Sequence, residues 1–169
     1  GKINDLNIKD FVVSGDKTWA LMDHMFVISK RRPLAQTNMK IINDYTYSNN
    51  GIEVGLINNS TGVLEWLHST KISHPSTTND NGDLISFMYT VTNEGVTLIY
   101  NQHISIYQSK LPILQNYTKT GKLINSTPLQ NSLPNKYSLD NSTFVKVENN
   151  KYMVRCKLGN SAKYGYLTF

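Results

Sequence analysis

The chain has 169 residues, a formal net charge of +5 at pH 7 and a sequence pI near 9.2. That length fits one large or two small domains, and because charged residues make up only 17% of it, the thin basic excess excludes a dense arginine-rich nucleic-acid arm. The single cysteine, Cys156, excludes an intrachain disulfide framework, and no run of about 18 apolar residues is present, so no membrane span is expected.

Helical periodicity is almost absent, and turn signals separate short runs rich in β-formers. "DFVVSGDKTWALM" reads as strand, Ser-Gly-Asp turn, strand, and "HMFVISK" continues as strand. "IEVGLINNSTGVLEWLH" predicts a hairpin turning over Asn58 to Gly62. Residues 73 to 83, "SHPSTTNDNGD", are polar, carry Pro and Gly, and have no periodicity, which marks a linker. "LISFMYTVTNEGVTLIYNQHISIY" predicts a second hairpin, turning at Asn93-Glu94-Gly95. "FVKVENNKY" adds an alternating run with an Asn149-Asn150 turn.

The chain ends in the clearest pattern. Tyr152, Val154, Cys156 and Leu158 fall on one face of a strand, and Lys151, Met153, Arg155 and Lys157 on the other. After a Gly159-Asn160-Ser161 turn, Leu167 and Phe169 share one face, and Tyr164 and Tyr166 the other, with Gly165 between the tyrosines. The first of each pair of faces is expected to point inward, which makes Cys156 a buried, inert thiol.

Two echoes link the halves. "TWALMDHMFVISKRRPL" (18 to 34) slides without a gap onto "TLIYNQHISIYQSKLPI" (97 to 113), matching Thr18 to Thr97, His24 to His103 and Pro33 to Pro112. "IEVGLINNSTGVLEWL" (52 to 67) slides onto "YMVRCKLGNSAKYGYL" (152 to 167), matching Val54 to Val154, Trp66 to Tyr166 and Leu67 to Leu167. The expectation is an all-β chain of two tandem small barrels, residues 1–78 and 79–169, with a single β-sandwich as the alternative.

The Thr-led strand of "TLIYNQHISIYQSK" and the aromatic closures "GVLEWL" and "KYGYLTF" carry a resemblance. This text resembles the bacterial SH3-like repeats of Gram-positive surface proteins and wall hydrolases. It is also similar to the paired wall-anchoring repeats of lactobacillus S-layer proteins, where a strand beginning Thr-Leu opens each repeat and a Lys-x-Gly-Tyr closure ends it. The first half departs from that closure, having Glu65-Trp66. The resemblance implies SH3-like barrels, an extracellular or cell-surface location, and attachment to an anionic wall polysaccharide such as teichoic acid.

Catalytic groups are sparse. His24, His68, His74 and His103 are well separated, no HxxxH, HxH or CxxC spacing occurs, and no Gly-rich phosphate loop or acid–base carboxylate pair stands out. The chain therefore reads as non-catalytic, with no metal and no cofactor. Outward aromatic and basic residues instead point to ligand binding. Tyr and Trp offer flat, rigid surfaces with a polar tip, on which sugars stack, and Lys and Arg attract anionic groups. One expected patch joins Lys151, Arg155, Lys157, Lys163, Tyr164 and Tyr166; its counterpart joins Lys30, Arg31 and Arg32 to Trp66 and His68. No nucleic-acid reader motif is present.

The Asn/Ser/Thr-rich, cysteine-poor text also suits a receptor-binding or structural β domain of a phage tail or surface fibre, which would place the chain in a virion. Sequons at Asn58, Asn59, Asn116, Asn125 and Asn141 reflect a low-GC codon bias in preference to glycosylation. No signal peptide is visible, and a start at Gly1 leaves room for an upstream signal or domain.

Overall fold

The computed structural model describes residues 6–33, 41–75, 87–102, 111–129, 138–158 and 161–168. All regular structure among them is strand: β1 (Asn7–Ser14), β2 (Lys17–Pro33), β3 (Ile41–Asn58), β4 (Leu64–Pro75), β5 (Phe87–Val91), β6 (Gly95–Gln102), β7 (Leu111–Thr118), β8 (Leu123–Pro128), β9 (Ser138–Glu148), β10 (Lys151–Leu158) and β11 (Ser161–Thr168). Every pairing is antiparallel, and the strands form three sheets, β1-β2-β3-β4, β5-β6-β7-β8 and β11-β10-β9. No helix among the described residues is long and apolar enough to cross a membrane.

The expected turns lie where the special residues stand. Gly15 adopts φ 65° between β1 and β2, Gly62 φ 69° between β3 and β4, and Asn150 φ 58° between β9 and β10. The Asn58 side chain organises the β3–β4 turn: its Oδ1 accepts from the Ser60 N–H and hydroxyl at 3.0 and 2.6 Å. The expected Gly159-Asn160 turn lies outside the described residues, as do Phe169, His103 and most of the expected linker. The linker's first three residues, Ser73 to Pro75, belong to β4.

The sheets stack face to face in three layers. Trp19, Leu21, Val54 and Leu56 of the first sheet meet Phe87, Val96, Leu98 and Tyr100 of the second in one buried cluster. The opposite face of the second sheet gives Met88, Ile99 and Leu114 to another cluster, with Leu139 and Val154 of the third. The middle sheet is thus covered on both sides. This explains why "GVTLIY" in β6 lacks alternation: Val96, Leu98 and Tyr100 point to one core and Ile99 to the other. Full burial of each such side chain stabilises the fold by about 1.5–3 kcal/mol.

The expected boundary after residue 78 falls between β4 and β5, where the first sheet ends. The second part then divides again into two sheets, and the larger core draws on both sides of the boundary. None of the three sheets closes into a barrel; they are open and stacked.

Polar groups also tie the layers. The buried Asn101 amide donates to the Leu139 carbonyl at 2.7 Å and accepts from the Leu139 N–H at 2.9 Å, stitching β6 to β9. The Tyr152 hydroxyl meets the Thr90 hydroxyl at 2.8 Å, joining β10 to β5. The Tyr89 hydroxyl donates to Asp10 on β1, and burial together with that carboxylate raises its pKa to about 12.

Candidate functional site

The two expected patches fare differently. In the β10–β11 ladder Met153 pairs with Tyr166 and Arg155 with Tyr164. Cross-strand partners point to the same side, so the tyrosines and the row Lys151, Met153, Arg155, Lys157 share the outer face of the third sheet. Tyr164 and Tyr166 are 68% and 63% exposed, which leaves their rings available as a platform. The Lys151 ammonium lies 4.7 Å from the Tyr166 ring centroid, a cation–π contact that fixes both groups.

The cations of this face are partly paired. Asp140, on β9 opposite Arg155, is buried, and its Oδ2 lies 3.2 Å from Lys157 and 3.6 Å from Arg155. Burial pushes the Asp140 pKa up, but hydrogen bonds from Ser142 and Lys157 outweigh it and hold the carboxyl below its ordinary value. Lys151 pairs with the exposed Glu148 at 3.6 Å. One buried carboxylate shared by two cations leaves a surplus positive charge beside the tyrosines.

Lys163 does not join them. It pairs with Cys156, so it stands on the reverse face with Tyr152 and Val154, at its exposed margin. Cys156 is half-buried, and burial raises its thiol pKa, which keeps it protonated and weakly nucleophilic.

The second expected patch is not assembled. Trp66 pairs with Leu56, which pairs with Trp19, whereas Arg31 and Arg32 pair with Asn43 and Ile42 near the far end of β2. Twelve residues of strand separate Trp19 from Arg31, about 40 Å at 3.3 Å per residue. Lys30 lies beside Arg31 at the same remote end, paired with Asp44.

Trp66 and His68 instead clamp the first sheet to the second. The Trp66 ring packs edge-on to Trp19 at 5.5 Å and stacks on Tyr117 at 6.5 Å, and its Nε1–H donates to the Lys119 carbonyl at 3.0 Å. His68 Nε2 bonds the Gly121 carbonyl, so that nitrogen carries the hydrogen. The indole lies so close over Gly121 that a Cβ there would be 2.8 Å from Trp66 Cγ.

His24 Nε2 lies 2.8 Å from Glu53 Oε1, a single pair across β2 and β3. Among the described residues, no group of three or more His, Cys, Asp or Glu side chains is arranged to hold a metal ion.

One feature was invisible in the sequence. A cleft of about 420 Å³ runs along β5, walled by Lys9 and Val12 of β1 on one side and by Phe144 and Lys146 of β9 on the other. Phe144 stacks on Tyr152 at 4.5 Å with an interplanar angle of 7°. No local pattern joins these residues, because each wall belongs to a different sheet.

Comparison with known proteins adds no relative: no family model, no curated protein and no solved structure matches the chain.

Proposed function

We propose that the chain is a non-catalytic binding module that attaches a secreted or surface protein to an anionic cell-wall glycopolymer of the teichoic-acid kind, through the outer face of the β9–β10–β11 sheet. The observation that carries this is the pair of exposed rings, Tyr164 and Tyr166, set beside Lys151 and Arg155 on one face. Large aromatic surface held in water is costly unless a partner covers it, and sugar C–H faces stack on such rings. Asp140 and Glu148 fix the cationic side chains, and the surplus charge favours phosphate or carboxylate groups on the polymer.

The test is co-sedimentation of the chain with Gram-positive sacculi, intact and acid-stripped of anionic polymer, across a salt series. Binding to intact walls that weakens with salt and disappears on stripping is expected. Undiminished binding to stripped walls would rule out the anionic polymer.

A second reading is a receptor-binding or structural domain of a phage tail or surface fibre. It draws on the β2–β3 ribbon, in which the pairs Phe26–Ser48 to Pro33–Ile41 extend beyond the pairing of β1, which stops at Asp23. A stable trimer by light scattering would favour this reading over a wall-binding module.

A further inference from the structure

The middle sheet ends at β5, which has β6 on one edge and, among the described residues, no strand on the other. At the β5–β6 turn the Thr92 N–H donates to the Gly95 carbonyl at 2.9 Å. Bonded and non-bonded pairs alternate along an antiparallel ladder, so Thr90 and Met88 bond to β6. The backbone N–H and C=O groups of Tyr89 and Val91 therefore point away from the sheet, along the free edge, while Phe87, fully buried, closes its N-terminal end. The outer layers overhang this edge as the two walls of the cleft, and each wall carries a lysine. Lys9 holds its ammonium 4.8 Å from the Phe87 ring centroid, and Lys146 is exposed and makes no ion pair among the described residues.

We propose that this cleft binds an extended acidic peptide, which adds to the middle sheet as a further strand beside β5. The outward backbone groups recur at every second residue, the repeat that another β-strand matches and a saccharide does not. Sheets pack about 10 Å apart, so the recess left by a missing edge strand between two overhanging layers has the width of one strand. The charge follows from the alternation of side chains. Successive residues of the added strand face opposite walls, one toward Lys9 and the next toward Lys146. The recognised feature is thus two adjacent acidic residues inside a short β-prone segment, matched to residues 89–91 of β5, which stay accessible. This surface is separate from the outer face of the third sheet, so the two can be occupied together.

The test is a nuclear magnetic resonance titration of the isotope-labelled chain with the blocked peptide Thr-Val-Glu-Asp-Val-Thr at millimolar concentration. The amides of Tyr89 and Val91 should show the largest saturable shifts. The Gln-Asn counterpart should bind about fivefold more weakly, as two partly exposed ion pairs would give. A peptide N-methylated at alternate residues should not bind. Lys146→Glu should weaken the acidic peptide by a similar factor while leaving sedimentation with sacculi unchanged; Lys146 is exposed, so the fold should survive, which the urea midpoint checks. Edge amides that stay unmoved, or that respond equally to the N-methylated peptide, would overturn the proposal. A glycerol phosphate oligomer that moves Lys9 and Lys146 while those amides stay still would overturn it in favour of a saccharide or phosphate ligand.

Discussion

Gly121→Ala isolates the contact that clamps the first two layers. Gly121 adopts φ 77°, and its missing Cβ lets the Trp66 indole approach to a point where an added methyl would sit 2.8 to 3.1 Å from three ring atoms. Two costs follow. A left-handed conformation with a Cβ costs about 1–2 kcal/mol. Forcing a methyl into a packed aromatic contact costs about 1–3 kcal/mol more, since the ring is held by Trp19, Tyr117 and the Lys119 carbonyl and cannot swing aside freely. The total is about 2–5 kcal/mol. Gly62 supplies the control, because its φ is 69° but nothing lies within 4 Å of its Cβ position. Gly62→Ala should lose only the backbone part, about 1–2 kcal/mol. Urea unfolding at unchanged m-value measures both. If the two variants lose equal stability, within about 0.5 kcal/mol, Trp66 is not wedged against Gly121 and the interlayer clamp is wrong.

Asn101→Ala should cost about 3 kcal/mol in urea unfolding, because it strands the buried N–H and C=O of Leu139 that the amide now satisfies. Asp140 has a depressed pKa, so its contribution to stability is fully present above the unfolded value, near 3.8, and is lost as pH falls through the lower folded value. Stability measured through that acid range should therefore fall in the wild type and fall less steeply in Asp140→Asn.

The strands and turns were legible because they are local. Alternation in "KYMVRCKL" and the glycines of "SGDK" and "STGV" mark hairpins that the structure contains. The stacking was not, because it depends on contacts between distant strands. Period two sorted Tyr152 and Val154 inward correctly, yet it could not say which neighbour covers them. The same period also puts Lys163 opposite Tyr164, since a residue and its neighbours on a strand take opposite sides, so grouping Lys163 with the tyrosines runs against the pattern. Trp66 looked like an outward aromatic because its cover, Gly121 and Tyr117, lies in the next sheet along the chain. A usable signal for that cover existed. Thr61-Gly62-Val63-Leu64 and Thr120-Gly121-Lys122-Leu123 share a Thr-Gly-x-Leu text, and both glycines have positive φ between the third and fourth strands of a four-stranded sheet. The first echo likewise aligns β2 with β6, the second strand of each of those sheets. The second echo aligns β3–β4 with β10–β11, which hold different places in their sheets.

The most direct test of the binding face is sedimentation with intact sacculi of a variant carrying Tyr164→Ala and Tyr166→Ala together. Both rings are mostly exposed, so each replacement should change stability by no more than about 0.5 kcal/mol, and the urea midpoint should stay near that of the wild type. Loss of wall binding with the fold intact is the predicted result. Wall binding at wild-type strength would contradict the assignment of this face.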